Sequence, residues 1–379
     1  MVSLTTIRGR LVTDYEVWSG GALLIENGAI EELSREGDVP ENAELHDYGD
    51  SFLVPGFVDL QVNGCFGIDV ATEPGRLSEL SEKLLSTGTT SYLPTVISSP
   101  EDLYEETLPI LAESVDNSSG AEGLGVHLEG PFISPEKRRA HPQSFVIPPD
   151  SGLLGQFMED CPVRMVTLAP ELEGAGDLIE LATGRGAVVS AGHSEASFEV
   201  AYTVFDRRVA GVTHLFNAMC PIHHREPGIV GAAFAHPRVV CGLIADGLHV
   251  HPEVANLAFR MLGPDRLYLT TDATAATGMG PGKYALATRK VYQDANMARL
   301  KDGALAGSLI TMNEAFQNIL AFTGCTLPEA ARMASSTPAR LIGVGRRKGR
   351  LVPGYDADVT VLAPDLSVEA VWRNGRQVY

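Results

Sequence analysis

Three residues able to bind a metal ion each close a short apolar run in this sequence: Glu129, His193 and His214. Any one of them alone would also fit a polar residue satisfied inside a core. Together, one carboxylate and two imidazoles form the ligand set of a catalytic zinc site that keeps a position open for water. His214 follows His193 by 21 residues, about one βα unit, so their side chains are expected at neighbouring strand ends.

A fourth polar residue, Asp272, closes the apolar run 267–272 and precedes a loop of small residues. A carboxylate at a strand end beside a metal is placed to take a proton from water and return it to a leaving amine. The alternative is a helix N-cap. We interpret Asp272 as the general base and acid.

A loop bounded by proline and glycine, residues 221–228, follows His214 and carries Arg225. The forked guanidinium suits a phosphate group. The chain has a formal net charge of −19, so an anionic substrate would need such a local cation. The alternative is an exposed arginine without a ligand.

The secondary-structure pattern around these residues is typical of an α/β protein. Eight apolar runs alternate with amphipathic stretches, which predicts a (β/α)8 TIM-type barrel over residues 53–344. Residues 1–52 and 345–379 contain short strands with turn glycines, and they are expected to form one small β-sandwich domain together. The eight runs are 53–63, 90–95, 125–129, 164–170, 188–193, 211–214, 241–246 and 266–272.

The composition of the chain limits the classes of partner that it can bind. The acidic charge argues against nucleic acid and anionic membrane surfaces, and no uncharged apolar run reaches the roughly 18 residues of a membrane span. Residues 1–11 contain Arg8 and Arg10 but no apolar signal-peptide core, so a cytoplasmic location is expected. Five cysteines, odd in number and without CxxC spacing, argue against a disulfide framework or a thiolate zinc site and favour reduced thiols. We expect Cys65 to be a packing residue.

Beyond single residues, the sequence resembles the N-acetylglucosamine-6-phosphate deacetylases of the amidohydrolase superfamily over nearly its full length. The motifs that carry the resemblance are PGFVD at 55–59, HLEGPF at 127–132, GHS at 192–194, THLFNAM at 213–219, REPG at 225–228, DGLH at 246–249, TDA at 271–273 and LAGS at 305–308.

This resemblance implies hydrolysis of the acetamide of N-acetylglucosamine 6-phosphate to glucosamine 6-phosphate and acetate, in amino-sugar catabolism and recycling. It implies that Glu129, His193 and His214 hold the metal and that Asp272 is the acid/base. It also implies a homodimer in which Arg225 reaches the neighbouring subunit's site. The implied substrate contacts are Ala140, His141, Asn217, Ala218, Arg225, Asp246, Gly247, Leu248, His249, Leu305, Ala306 and Gly307.

The first barrel strand departs from the wider superfamily, whose His-x-His is replaced here by Gln61-Val62-Asn63. Neutral amides are poor ligands for a zinc-like ion, so we expect one divalent metal per chain. Zinc is the first choice, and Fe²⁺, Co²⁺ and Mn²⁺ would also suit the ligand set. Gln61 is expected at the edge of the site, in contact through water or weakly with the metal.

Three alternative functions stay open at this point. The first is deacetylation of N-acetylgalactosamine 6-phosphate, which differs in one hydroxyl orientation. The second is another amidohydrolase, which would usually need the His-x-His pair. The third is a non-catalytic scaffold on the same fold, against which the intact set of Glu129, His193, His214 and Asp272 argues.

Overall fold

A computed structural model describes residues 4–116, 119–294 and 297–379, and most of its strands belong to two large sheets. The strands, in chain order, are β1 (Leu4–Val12), β2 (Val17–Glu26), β3 (Ala29–Ser34), β4 (Glu44–Pro55), β5 (Phe57–Val62), β6 (Gly64–Cys65), β7 (Ile68–Asp69), β8 (Thr89–Ile97), β9 (Glu122–Gly123), β10 (Val126–Glu129), β11 (Val163–Leu168), β12 (Val188–Ala191), β13 (Val209–Val212), β14 (Val240–Leu243), β15 (Leu267–Leu269), β16 (Gly282–Leu286), β17 (Arg289–Gln293), β18 (Ala298–Arg299), β19 (Val359–Leu362), β20 (Val368–Arg373) and β21 (Arg376–Gln377).

The helices mostly follow the strands of the larger sheet. In chain order they are α1 (Leu77–Leu84), α2 (Glu101–Asp116), α3 (Ser151–Asp160), α4 (Ala175–Gly184), α5 (Phe198–Arg207), α6 (Gly228–Ala235), α7 (Pro252–Leu262), α8 (Met312–Thr323), α9 (Leu327–Ala331) and α10 (Thr337–Leu341), with a π-helical turn at Arg332–Ser336 between the last two. Within the described ranges, no helix is both long and apolar enough to span a membrane.

Eight parallel strands form the barrel, in the order β5, β8, β10, β11, β12, β13, β14 and β15, with β9 beside β8. Strands β5 and β8 are buried along their whole length, as expected of parallel strands covered on both faces. Each of the eight predicted runs overlaps one of these strands. The predicted (β/α)8 barrel is therefore confirmed.

The barrel closes between its first and last strands through side chains as well as backbone. A single bridge joins Val62 to Ala273, and the amide of Asn63 donates to the carbonyl of Ala273 at 2.8 Å. Further down the seam, the buried carboxylate of Asp59 accepts four hydrogen bonds. The donors are Thr270 Oγ1 at 2.8 Å, Thr271 Oγ1 at 2.5 Å, Thr271 N at 3.2 Å and Gln61 N at 3.2 Å.

Both ends of the chain contribute to the second sheet, a seven-stranded one in the order β21, β20, β19, β4, β1, β2, β3. Strand β19 pairs antiparallel to β4, which brings the C-terminal strands beside the N-terminal ones. Apolar side chains such as Ile7, Leu23 and Val361 form its own core. A small β unit made from both termini is confirmed, and the boundaries at 52/53 and 344/345 stay predictions.

A buried ion cluster links this unit to the barrel. Lys348 Nζ lies 2.6 Å from Asp358, 2.7 Å from Glu122 and 2.9 Å from Asp356. Glu122 belongs to β9, on the barrel side. Since a buried ammonium is tolerated only when it is paired, this cluster fixes the terminal unit against the barrel.

A small antiparallel sheet, β16 to β18, lies between β15 and α8 in the chain, and the sequence patterns did not predict it. The turn after β16 is held by Asp69, whose carboxylate accepts from the amide of Ala287 at 3.0 Å. Leu286, at the end of β16, lines the cavity described below.

Candidate metal centre

The three predicted metal ligands lie at or just beyond the ends of three barrel strands. Glu129 is the last residue of β10, whereas His193 and His214 each lie two residues beyond β12 and β13. These histidines have φ values of 50° and 31°, a left-handed conformation that non-glycine residues rarely adopt. Such strained residues cluster at functional sites.

The three ligand atoms converge at one point. Glu129 Oε1 lies 2.9 Å from His214 Nε2 and 3.2 Å from His193 Nε2, and the two Nε2 atoms are 3.2 Å apart. All three side chains are 5% exposed or less. Among the described residues, this is the group of histidine, cysteine and acidic side chains that could hold a metal ion.

The hydrogen bonds of His193 indicate that it and Glu129 are arranged to bind a cation. His193 Nδ1 donates to the carbonyl of Lys137 at 2.8 Å, so the neutral ring carries its lone pair on Nε2. That lone pair faces the carboxylate of Glu129, which can only accept. A cation between them turns this repulsion into coordination, and a carbonyl behind the ring is the usual support of a metal-binding histidine.

Two amides occupy the side of the site where the first strand ends. Gln61 Nε2 donates to Glu129 Oε1 at 2.9 Å and to Asp272 Oδ1 at 3.0 Å. Asn63 Nδ2 donates to the same Asp272 oxygen at 2.7 Å. Both amides therefore act as donors to the carboxylates.

The pKa values follow from burial and these contacts. Burial opposes ionisation of Glu129, but the imidazoles of His141 and His214 outweigh it and hold the pKa of this carboxyl well below its usual range. Burial lowers the pKa of His193 to about 4, whereas the hydrogen bond and charge of Glu129 overcome burial and raise the pKa of His214. Burial and the charge of Glu129 raise the pKa of Asp272 well above its usual range.

A cavity of about 280 Å³ opens above these groups, and most of the predicted site residues line it. The predicted residues in its wall are Glu129, Ala140, His141, His193, His214, Asn217, Ala218, His249, Asp272, Leu305 and Gly307.

The other predicted residues do not line the cavity. Gln61 is buried and donates to both carboxylates, and Ala306 is fully buried. Asp246 accepts from His249 Nδ1 at 2.6 Å and thus fixes that ring, while Leu248 is half exposed. The remaining two are Gly247, in the same turn, and Arg225, an exposed residue whose Nη1 contacts His224 Nε2 at 2.9 Å.

Sequence reasoning missed several cavity residues. Asn63, expected only as a poor metal ligand, lines the cavity, and so does Arg139, which no motif indicated as a site residue although it precedes Ala140. Phe216, within the motif at 213–219, has φ 77°. The other unpredicted residues of the wall are Ile97, Ile244, Leu286 and Ala304.

Comparison with known proteins places this site in a family. The amidohydrolase family matches residues 52–378. N-acetylglucosamine-6-phosphate deacetylase of Rattus norvegicus is 38% identical, with 98% of this chain and 93% of that protein covered. The enzyme of the same name from Bacillus subtilis is 36% identical, with 94% and 92% covered. N-acetylgalactosamine-6-phosphate deacetylase of Escherichia coli O157:H7 is 34% identical, with 98% of each covered.

Solved structures agree with these relatives. A mutant N-acetyl-D-glucosamine-6-phosphate deacetylase of Mycobacterium smegmatis, in complex with N-acetyl-D-glucosamine-6-phosphate, has a TM-score of 0.93 and 32% identity, with 99% of each chain covered. The N-acetylglucosamine-6-phosphate deacetylase of Thermotoga maritima has a TM-score of 0.90 and 33% identity, with 100% of this chain and 99% of that chain covered. The chain belongs to the amidohydrolase family and, within it, to the N-acetylglucosamine-6-phosphate deacetylases.

Proposed function

We propose that this protein hydrolyses the acetamide of N-acetylglucosamine 6-phosphate, releasing acetate and glucosamine 6-phosphate. The observation that carries the proposal is the cluster of Glu129, His193 and His214 with Asp272 facing it across Gln61. The relatives that bear this activity in their names cover nearly the whole chain.

The cluster would hold one divalent cation. When bound, such a cation acts as a Lewis acid and lowers the pKa of a coordinated water from about 15.7 towards 7. Two imidazoles and one carboxylate suit zinc, and they would also accept Fe²⁺, Co²⁺ or Mn²⁺. Gln61 and Asn63 direct amide hydrogens at the carboxylates, which favours one cation per chain rather than two.

Asp272 is positioned for proton transfer. Its Oδ1 is occupied by the amides of Gln61 and Asn63, and its Oδ2 has no hydrogen bond to the described residues. That oxygen can accept the proton of an attacking water and then return it to the nitrogen that leaves.

His141 is suited to bind the amide carbonyl. Its Nδ1 accepts from the backbone amide of Ser98 at 3.2 Å, so the proton of the neutral ring is on Nε2. His141 lines the cavity, and its Nε2 lies 3.7 Å from Glu129 Oε2. From there it can donate to a carbonyl oxygen that gains negative charge during attack by water.

Arg225 is proposed to bind the 6-phosphate of a neighbouring subunit's substrate in a homodimer. Within one chain it lies outside the cavity. Ile222, in the same loop, is 50% exposed, and Leu257 and Met261 on α7 are 55% and 53% exposed. If these side chains form one contiguous apolar patch, it would suit a surface that another chain covers.

We further propose that the protein acts in the cytoplasm, in amino-sugar catabolism and recycling. The five free cysteines fit a reducing compartment.

Acetate release from three sugars tests this function. We expect turnover of N-acetylglucosamine 6-phosphate, weaker turnover of its galactosamine epimer and much weaker turnover of unphosphorylated N-acetylglucosamine. Faster turnover of the galactosamine epimer would favour the alternative activity. No acetate from any phosphorylated sugar, with metal supplied, would favour a non-catalytic protein.

A further inference from the structure

The loop between β10 and α3 carries three consecutive basic residues that face different surroundings. Lys137 Nζ lies 3.5 Å from Glu195, and Arg138 Nη1 donates to the carbonyl of Pro135 at 3.0 Å. Arg139 is exposed and is one of the residues that line the catalytic cavity. Its guanidinium has no hydrogen bond or ion pair to the described residues. Arg139 is therefore free to bind a ligand.

The backbone at Arg139 supports a functional role. Its φ is 50°, in the left-handed region that disfavours side chains with a Cβ. Of the eleven non-glycine residues with positive φ among those described, six line the cavity. These are Arg139, His193, His214, Phe216, Ala218 and Asp272. A strained arginine within this group points to a role in the site.

Charge indicates which ligand Arg139 would bind. It is the one arginine or lysine in the described cavity wall, which also contains the carboxylates of Glu129 and Asp272. A chain with a net charge of −19 needs a positive group where an anionic substrate enters. Arg289 also approaches this loop, with Nη1 3.5 Å from the carbonyl of Ala140, but it does not line the cavity.

We infer that Arg139 binds the phosphate of the substrate from within the same chain and sets the preference for phosphorylated over neutral sugars. The planar guanidinium offers paired donors that match phosphate oxygens. This inference rests on the proposed function. It adds a contact from the same subunit to the one proposed for Arg225.

Substitution by glycine offers a clean test, because glycine adopts the backbone conformation of residue 139 without strain. The thermal midpoint of Arg139→Gly should stay at or above that of the parent. Its kcat/KM for N-acetylglucosamine 6-phosphate should fall about 10-fold, the loss expected for a charged hydrogen-bonding partner. Its kcat/KM for N-acetylglucosamine should change by less than about twofold, because that substrate has no phosphate.

Two further variants control the charge and the loop. Arg139→Lys should recover part of the loss, and Arg138→Gly, next to it but outside the cavity wall, should match the parent on both sugars. Inhibition by glucosamine 6-phosphate reports the same contact without turnover and should weaken about 10-fold in Arg139→Gly.

The outcomes separate the two proposals. If the parent releases acetate from the phosphorylated sugar, an unchanged Arg139→Gly variant would overturn the inference, and so would equal losses on both sugars. If the parent releases none, the proposed function itself fails, and the inference fails with it.

Discussion

At the residue scale, Glu129 and Asp272 both accept a hydrogen bond from the amide of Gln61, yet their pKa values are shifted in opposite directions. Imidazoles outweigh burial at Glu129 and lower its pKa, so it stays ionised as a ligand. Burial and the charge of Glu129 raise the pKa of Asp272, so Asp272 is the carboxyl that exchanges protons. Such a divergence between neighbouring groups is how acid and base roles are assigned in active sites.

The Asp272→Asn variant should therefore lose at least about 100-fold in kcat, the usual contribution of proton transfer. Asparagine can still accept the hydrogen bonds of Gln61 and Asn63 through its oxygen, so metal content and thermal midpoint should remain those of the parent. Steady-state acetate release, with metal analysis of the same sample, checks this. Activity within about tenfold of the parent would contradict the assigned role.

At the element scale, the catalytic side chains belong to turns just beyond the barrel strands. The sequence predicted runs that end at His193, His214 and Asp272, but β12, β13 and β15 end two or three residues earlier. Apolar periodicity locates such strands because their burial is encoded in residue type. The positive φ values of these residues could not be predicted, since no glycine marks them and the surrounding loops impose them.

The seam between β5 and β15 should control how Asp272 is held. Asp59→Ala would leave several buried donors without an acceptor, including the amide of Thr271, next to Asp272. Each unsatisfied donor costs about 1–3 kcal/mol. We expect a lower thermal midpoint and a fall of at least about tenfold in kcat. Asp59→Asn, which keeps one acceptor oxygen, should recover part of both.

A destabilised variant remote from the site is the control for Asp59. Leu23 is fully buried in the terminal sheet, and Leu23→Ala should cost about 2–5 kcal/mol of stability. Its kcat, measured well below its unfolding temperature, should remain that of the parent. An Asp59→Ala enzyme that is merely less stable, with parental kcat, would show that the seam does not position Asp272.

At the scale of the whole molecule, an acidic protein is proposed to act on an anionic substrate. The sequence predicted that Arg225 binds the phosphate of the substrate. Within a single chain, however, Arg225 lies outside the cavity, and the arginine that lines the cavity is Arg139. Sequence patterns report strands and motifs within a chain. They could not report which loop residue faces the cavity, or what a second chain would add, because both depend on tertiary and quaternary contacts.

Mixed dimers test the proposed role of Arg225 across subunits. An Asp272→Asn chain combined with an Arg225→Ala chain should form one intact site per heterodimer, and activity should exceed that of either variant alone. Arg225→Ala alone should lose about 10- to 150-fold in kcat/KM, as expected when a charged partner of phosphate is removed. Heterodimers confirmed by mass spectrometry that show no gain would rule out this role.

The central claim is that Glu129, His193 and His214 hold one divalent metal that acetate release requires. The most direct test removes the metal with a chelator and titrates zinc back while acetate release from N-acetylglucosamine 6-phosphate and bound metal are measured together. Activity should be lost on removal and should return in proportion to metal, reaching its maximum at one equivalent per chain. Full activity of the metal-free enzyme, or a requirement for two equivalents, would contradict the account.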